Sequence, residues 1–308
     1  MKLYKRLVND RAPLGQPDPY IFHASDGRYY MYATEGQVYS SDNLLEGWNY
    51  EGIQLVMPGQ KICWAPCVIE LDEKFYMYYS SCDEKNHGDH AHALRVAVAE
   101  RPQGPFVYKK DILPPFAIDP HVVQTPSGLY LFYSSNDENA KRAGTLILCD
   151  RLLNPFQVEG KPMPAIQPTL DEEIYMKDRF KPGQHWHTVE GAFYFYYEGL
   201  HYLMYSGACY QNPTYFIGYC TAKGPKDIDL RELQWTKYPD DSTYAPLLTG
   251  NPFIEGTGHN SVLFDQGHAY ICYHGRDIGD VDENEDMRSA RIDEMLIQGK
   301  LIAVHMTP

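Results

Sequence analysis

The chain has 308 residues, 44% hydrophobic and 22% charged, a globular balance that excludes wholesale disorder, collagen and a disulfide-dense mini-scaffold. Its 41 Asp and Glu face 27 Lys and Arg, a formal charge of −14, and such a field repels phosphate backbones and anionic lipid heads, which argues against nucleic acid or membrane partners. Aromatic residues reach 14%, with 26 tyrosines, a composition suited to a neutral ligand that stacks on rings.

In chain order, Met1 to Asp10 carries Lys2, Lys5 and Arg6 but no apolar run of the ~7 to 15 residues a secretory signal requires, so a cytoplasmic protein is expected. A polar anchor, a short apolar strand, a turn and an aromatic strand then recur five times. Asp18-Pro19-Tyr20-Ile21-Phe22 leads over Asp26-Gly27 to Tyr29-Tyr30-Met31-Tyr32. Trp64-Ala65-Pro66-Cys67-Val68-Ile69 leads over Asp72-Glu73-Lys74 to Phe75-Tyr76-Met77-Tyr78. Asp119-Pro120-His121-Val122-Val123 leads over Ser127-Gly128 to Tyr130-Leu131-Phe132-Tyr133. Glu190-Gly191-Ala192-Phe193-Tyr194 leads over Glu198-Gly199 to Tyr202-Leu203-Met204-Tyr205, and His259-Asn260-Ser261-Val262-Leu263 over Gln266-Gly267 to Tyr270-Ile271-Cys272-Tyr273.

From anchor to closing tyrosine the spans are 14, 14, 14, 15 and 14 residues, the length of a hairpin with a short turn. Anchors step by 46, 55, 71 and 69 residues, room for four short strands each. One Tyr-rich hairpin is ordinary in a β-sandwich; five in register at this spacing predict an all-β protein, a five-bladed β-propeller, with residues 1–308 as a single domain. The seven cysteines form no Cys-x-x-Cys pair and are expected to be buried free thiols.

Repeats arranged around one axis place equivalent positions at one end of the central channel. Asp18, Asp119 and Glu190 are thereby expected to share a pocket. Carboxylates held together cannot all ionise cheaply, so at least one pKa should rise, as a general acid near neutral pH requires. A base for water, an acid for the leaving group and a third carboxylate tuning that acid are the equipment of glycoside hydrolysis. Trp64, Tyr20 and Trp186 are candidate sugar-stacking rings, with core filling the alternative for each. His87-Gly88-Asp89-His90-Ala91-His92 reads as a solvated or substrate-rim histidine loop. Asp280 to Asp286 reads as an acidic surface loop, because a calcium loop would need Gly where Glu285 stands.

At these residues the chain resembles family 43 glycoside hydrolases, five-bladed propellers that act on arabinan, arabinoxylan and xylo-oligosaccharides with inversion. The resemblance implies Asp18 as general base, Glu190 as general acid and Asp119 as pKa modulator, carried by Asp18-Pro19, Ile118-Asp119-Pro120 and Glu190-Gly191. It also matches at Trp64-Ala65-Pro66 and implies substrate binding by His259 in Gly258-His259 and by a late arginine, best matched by Arg288 with Arg291 as the rival, beside the ring candidates Trp64 and Tyr20. His259 would hold a water or, through it, a structural calcium in the channel; no cofactor is otherwise required. The sequence departs from the family where Ala192 replaces the proline that often follows Glu-Gly. The expected activity is exo-acting α-L-arabinofuranosidase on neutral oligosaccharides. β-Xylosidase and endo-arabinanase are alternatives within the fold, and a non-catalytic carbohydrate-binding propeller is the alternative from another class.

Overall fold

The computed structural model describes residues 15–86, 88, 90–279 and 287–307. The N-terminal reading, His87, Asp89 and the acidic stretch from Asp280 to Asp286 lie outside the described residues. The first unit is β1 (Tyr20–His23), β2 (Tyr29–Ala33), β3 (Gln37–Ser41) and β4 (Asn49–Ile53), in that spatial order. A short β5 (Leu55–Val56) pairs with the outer edge of the second unit, which comprises β6 (Gln60–Leu71), β7 (Lys74–Asp83), β8 (Ala93–Ala99) and β9 (Phe106–Leu113). The third unit is β10 (Ile118–Thr125), β11 (Gly128–Asp137) and β12 (Gly144–Asn154), with β13 (Gln157–Val158) and β14 (Met163–Ile166) on its edge. The fourth has β15 (Ile174–Met176) beside β16 (Trp186–Tyr197), then β17 (Leu200–Gly207), β18 (Phe216–Lys223) and β19 (Thr236–Lys237). The fifth is β20 (Ile254–Asp265), β21 (His268–Asp277), β22 (Ser289–Gln298) and β23 (Leu301–Val304). The protein is all-β, and among the described residues the only helices are short 3-10 turns.

Each hairpin of the sequence reading is present. The turns Asp72-Glu73, Glu198-Gly199 and Gln266-Gly267 have both central residues at positive φ, as two-residue turns matching the strand twist require. The uninterrupted aromatic runs follow from burial on both faces of the second strands. In β2, Tyr30 and Tyr32 face one apolar cluster while Tyr29 and Met31 face another. In β7, Phe75, Met77 and Tyr79 divide in the same way from Tyr76 and Tyr78. A sheet covered on both sides has no need of polar alternation.

The five apolar clusters lie between consecutive units. They join units one and two, two and three, three and four, and four and five. The last brings Ile21, Met31 and Trp48 of unit one against Cys272, Ala290 and Ile292 of unit five. First strands follow the same order: β1 contacts β6, β6 contacts β10, β10 contacts β16, β16 contacts β20, and β20 contacts β1. At roughly 1.5 to 3 kcal/mol for each fully buried large side chain, these seams are the main stabilising term. All seven cysteines are buried and free, as expected.

Candidate active site

The backbone turns left-handed at the same place in every unit. Asp18, Ala65, Asp119, Gly191 and His259 all have positive φ, between 44° and 63°. Two residues on, the hairpin register resumes at Tyr20, Cys67, His121, Phe193 and Ser261. These five positions are therefore equivalent: four are bulges that bend their strands and re-aim the side chains there, and Asp18 stands two residues before β1. Glu190 lies one residue before its unit's bulge, level with Trp64 in unit two, which explains the span of 15 residues. The alignment of Glu190 with Asp18 is corrected by one residue, as is that of Trp64.

Backbone amides at these positions are held by the preceding unit. Ala65 N–H donates to Thr34 Oγ1 at 3.0 Å, His259 N–H to Ser206 Oγ at 2.7 Å, and Asp18 N–H to His274 Nδ1 at 3.1 Å. These positions turn their side chains into one cavity of about 100 Å³, lined by Asp18, Trp64, Ile118, Asp119, Glu190, Tyr210, Tyr215, His259 and Arg288. A larger cavity, about 360 Å³, lies between units three and four around Asp137, Arg142 and Thr169, but it holds none of the three anchor carboxylates. Chemistry, not volume, selects the smaller one.

Asp18 is buried and fully engaged. Its Oδ1 accepts from Arg288 Nη1 at 3.2 Å and lies 3.3 Å from His274 Nδ1 and 3.4 Å from His259 Nδ1. Its Oδ2 accepts from Thr34 Oγ1 at 2.6 Å. Burial alone would raise its pKa, but the Arg288 guanidinium, His259 and His274 together outweigh that and hold the carboxyl well below the usual range. Glu190 is moved the other way. Burial, aided by the charge of Asp18, pushes it up to about 7 against the opposing hydrogen bond from Tyr215 and the charge of Arg288. Asp119 is also raised, first by burial and then by the charges of Glu190 and Asp18, while the Gly191 amide and Arg288 oppose the shift. One carboxylate ready to accept a proton thus shares a cavity with one that keeps its proton up to neutrality.

Tyr215 and Tyr210, which the repeat pattern does not single out, complete the cavity. The Tyr215 hydroxyl donates to Glu190 Oε1 at 2.8 Å, and its ring stacks parallel to His274 at 5.8 Å. A Cβ on residue 258 would fall 1.8 Å from this ring, so Gly258 is what admits Tyr215. Gly191 combines positive φ with a close approach, since a Cβ there would sit 3.1 Å from His259 Nδ1. Ala192 is buried behind the acid and leaves Glu190 on the cavity wall.

Of the expected stacking rings, only Trp64 lines the cavity, fixed by parallel stacking on buried His92 at 3.5 Å. Tyr20 does not. Two residues beyond the bulge it points to the hub, packed on His121 and Phe193 at 6.2 and 6.0 Å, so its substrate-binding assignment is corrected to a packing one. Trp186 is buried under the rim. Arg288 is the arginine of the cavity and sits over the Tyr210 ring at 4.6 Å, whereas Arg291 is buried and paired with Asp277. Among the described residues no group of three or more His, Cys, Asp or Glu side chains is arranged to hold a metal ion. Nδ1 of His259 faces Asp18 at 3.4 Å.

A sequence profile described as Glycosyl hydrolases family 43 matches residues 12–300. The chain belongs to this family. It is 25% identical over 287 residues to an extracellular exo-α-(1→5)-L-arabinofuranosidase of Streptomyces avermitilis, covering 86% of this chain and 55% of that relative. The chain thus spans about half the length of that relative. Among solved structures, a thermostable family-43 glycoside hydrolase superposes with a TM-score of 0.78 at 28% identity, over 99% of this chain and 96% of the other. An α-L-arabinofuranosidase from Lactobacillus brevis superposes at 0.75 and 22% identity, over 93% of each chain, a likeness of fold. The expectation of a cytoplasmic protein is withdrawn: the Streptomyces relative is extracellular, and the N-terminal residues on which the expectation rested lie outside those described.

Proposed function

We propose that the five units are the blades of a five-bladed β-propeller, one domain over residues 1–308, and that it is an inverting exo-α-L-arabinofuranosidase acting on neutral oligosaccharides. The cyclic order of the seams and first strands supports the propeller reading. The observation that carries the activity is the opposed displacement of two carboxyls in one cavity, Asp18 down and Glu190 up to about 7. In a single displacement Asp18 takes a proton from the water attacking the anomeric carbon, while Glu190 gives its proton to the departing oxygen. Arg288 and Thr34 keep Asp18 ionised and fixed. Asp119 and Glu190 lie within reach of each other's charge, and because two buried carboxyls do not both ionise cheaply the pair keeps a proton near neutrality. Trp64 supplies a face for the sugar.

The small cavity favours one terminal sugar over a chain, and the Streptomyces relative is named for exo action on α-(1→5)-linked arabinofuranose. The test is hydrolysis of aryl α-L-arabinofuranoside beside aryl β-D-xyloside and short arabinan oligomers, with the product anomer followed by proton NMR. Release of arabinose with inverted configuration is expected. Retention overturns the mechanism, and activity only on the xyloside overturns the substrate.

A further inference from the structure

Outside the cavity, the most organised unexplained group is at its mouth. The Arg179 guanidinium lies 4.8 Å from the centre of the Trp186 ring and 5.4 Å from those of Tyr175 and Phe180. Its Nη2 lies 3.4 Å from His90 Nε2, and among the described residues no carboxylate pairs with it. Three rings hold the planar fork, and none of its donors is spent on an acid among the described residues. The supporting loop is tied to itself. Arg179 N–H donates to Gln184 O at 3.1 Å, Gly183 N–H to Asp178 Oδ1 at 2.7 Å, and Asp178 N–H to His185 Nδ1 at 3.2 Å. Phe180 packs edge-on against Trp186 yet is 58% exposed.

Neighbours fix the group's place. Trp186 begins the strand that carries Glu190. His90 packs near Phe116, two residues before the cavity-lining Ile118, and is itself two residues from His92, on which Trp64 stacks. The Tyr175 hydroxyl feels Cys209, Tyr210 and Glu190 as neighbours, the last two of which line the cavity. Arg179 therefore stands at the mouth on the side of the acid. An acid must face the bond it protonates, so the departing half of the substrate leaves over this side.

We propose that Arg179, with Phe180 and Tyr175, binds the leaving-group sugar of a neutral oligosaccharide, the guanidinium donating to its hydroxyls and the exposed Phe180 ring packing on its face. This rests on the glycosidase reading and adds a second, separable sugar position. An anionic sugar is disfavoured by the chain's charge of −14. Arg179→Ala is expected to lower kcat/KM on arabinobiose and arabinotriose on the order of tenfold, the worth of a charged donor's hydrogen bond, while leaving kcat/KM on the aryl arabinofuranoside within twofold. Arg179→Lys, which keeps the charge without the planar fork, should lose most of the same factor. In the Glu190→Gln background, Arg179→Ala should weaken arabinotriose binding by calorimetry without changing that of arabinose. Equal losses on aryl glycoside and oligosaccharide, or no loss on either, overturn the assignment. A wild type that cleaves neither substrate overturns the hydrolase reading instead, and the calorimetric comparison then decides whether Arg179 still binds sugar.

Discussion

Ala65 and Asp119 occupy the same position in neighbouring units. Both precede a proline, both stand at a bulge, and their φ values are 44° and 53°. One has no functional group, and the other is a buried carboxyl whose pKa is raised by burial and by Glu190. The left-handed backbone therefore belongs to the architecture, which repeats it in all five units whatever residue stands there. Chemistry is written onto it by side chain: a carboxylate in units one and three, an imidazole in unit five, no functional group in units two and four. In unit four Gly191 takes the bulge, and the acid is supplied by the residue before it. Strained backbone at an active site is often read as a catalytic device; here its recurrence at Ala65 argues that the packing of successive units requires it.

The comparison can be broken most forcefully at the carboxylates. Asp18→Ala and Glu190→Ala should each lower kcat/KM by at least the ~100- to 10,000-fold that general acid–base help contributes, with the protein still folded although Asp18→Ala lowers the thermal midpoint by taking a buried partner from Arg288; a modest loss would mean that the cavity is not where bonds break. Asp119→Ala converts unit three into a copy of unit two at this position. It should fold as Ala65 does while activity falls on the order of 100-fold, and unfolding on substitution would show that Asp119 is structural. Tyr215→Phe tests a subtler element. Glu190 loses its proton as pH rises through about 7, so kcat/KM should decline there. The Tyr215 hydroxyl favours the ionised acid, so removing it should carry this alkaline limb to higher pH with a loss of several-fold at the optimum. A limb that moves down, or stays, refutes the positioning role. Ala65→Gly is the smallest change. Relief of a left-handed alanine should stabilise the fold by up to about 1 kcal/mol in urea titration, and activity should stay within twofold.

The repeat, the hairpin lengths and the convergence of Asp18, Asp119, Glu190, Trp64, His259 and Arg288 were readable in the sequence because each follows from periodicity or from a short motif. What was not readable depends on side-chain direction. Tyr20 is two residues from Asp18 and aromatic, but the left-handed backbone at Asp18 sends that carboxyl into the cavity and Tyr20 to the hub. The register of Glu190 was misread by one residue, since a 15-residue span looks like a longer turn when it is an anchor displaced from its bulge. Tyr210 and Tyr215 sit outside the hairpins, where no spacing constrains them. The nearest available signal was Gly258, whose missing side chain makes room for Tyr215. Thr34, Ser206 and His274 were within reach, as polar residues that recur at matching positions just beyond the second-strand aromatics.

The contact from His274 to the Asp18 amide spans 256 positions of the chain. It lies where the last unit meets the first, beside the bond from Gln16 N–H to Arg288 O at 2.7 Å. Asp18 is thus mounted on the joint between unit five and unit one, whose residues lie far apart along the chain. Warming that parts this joint would silence turnover while the remaining sheets still register as folded, so loss of activity on heating should precede the spectroscopic melt, and a cross-link across the junction should bring the two together.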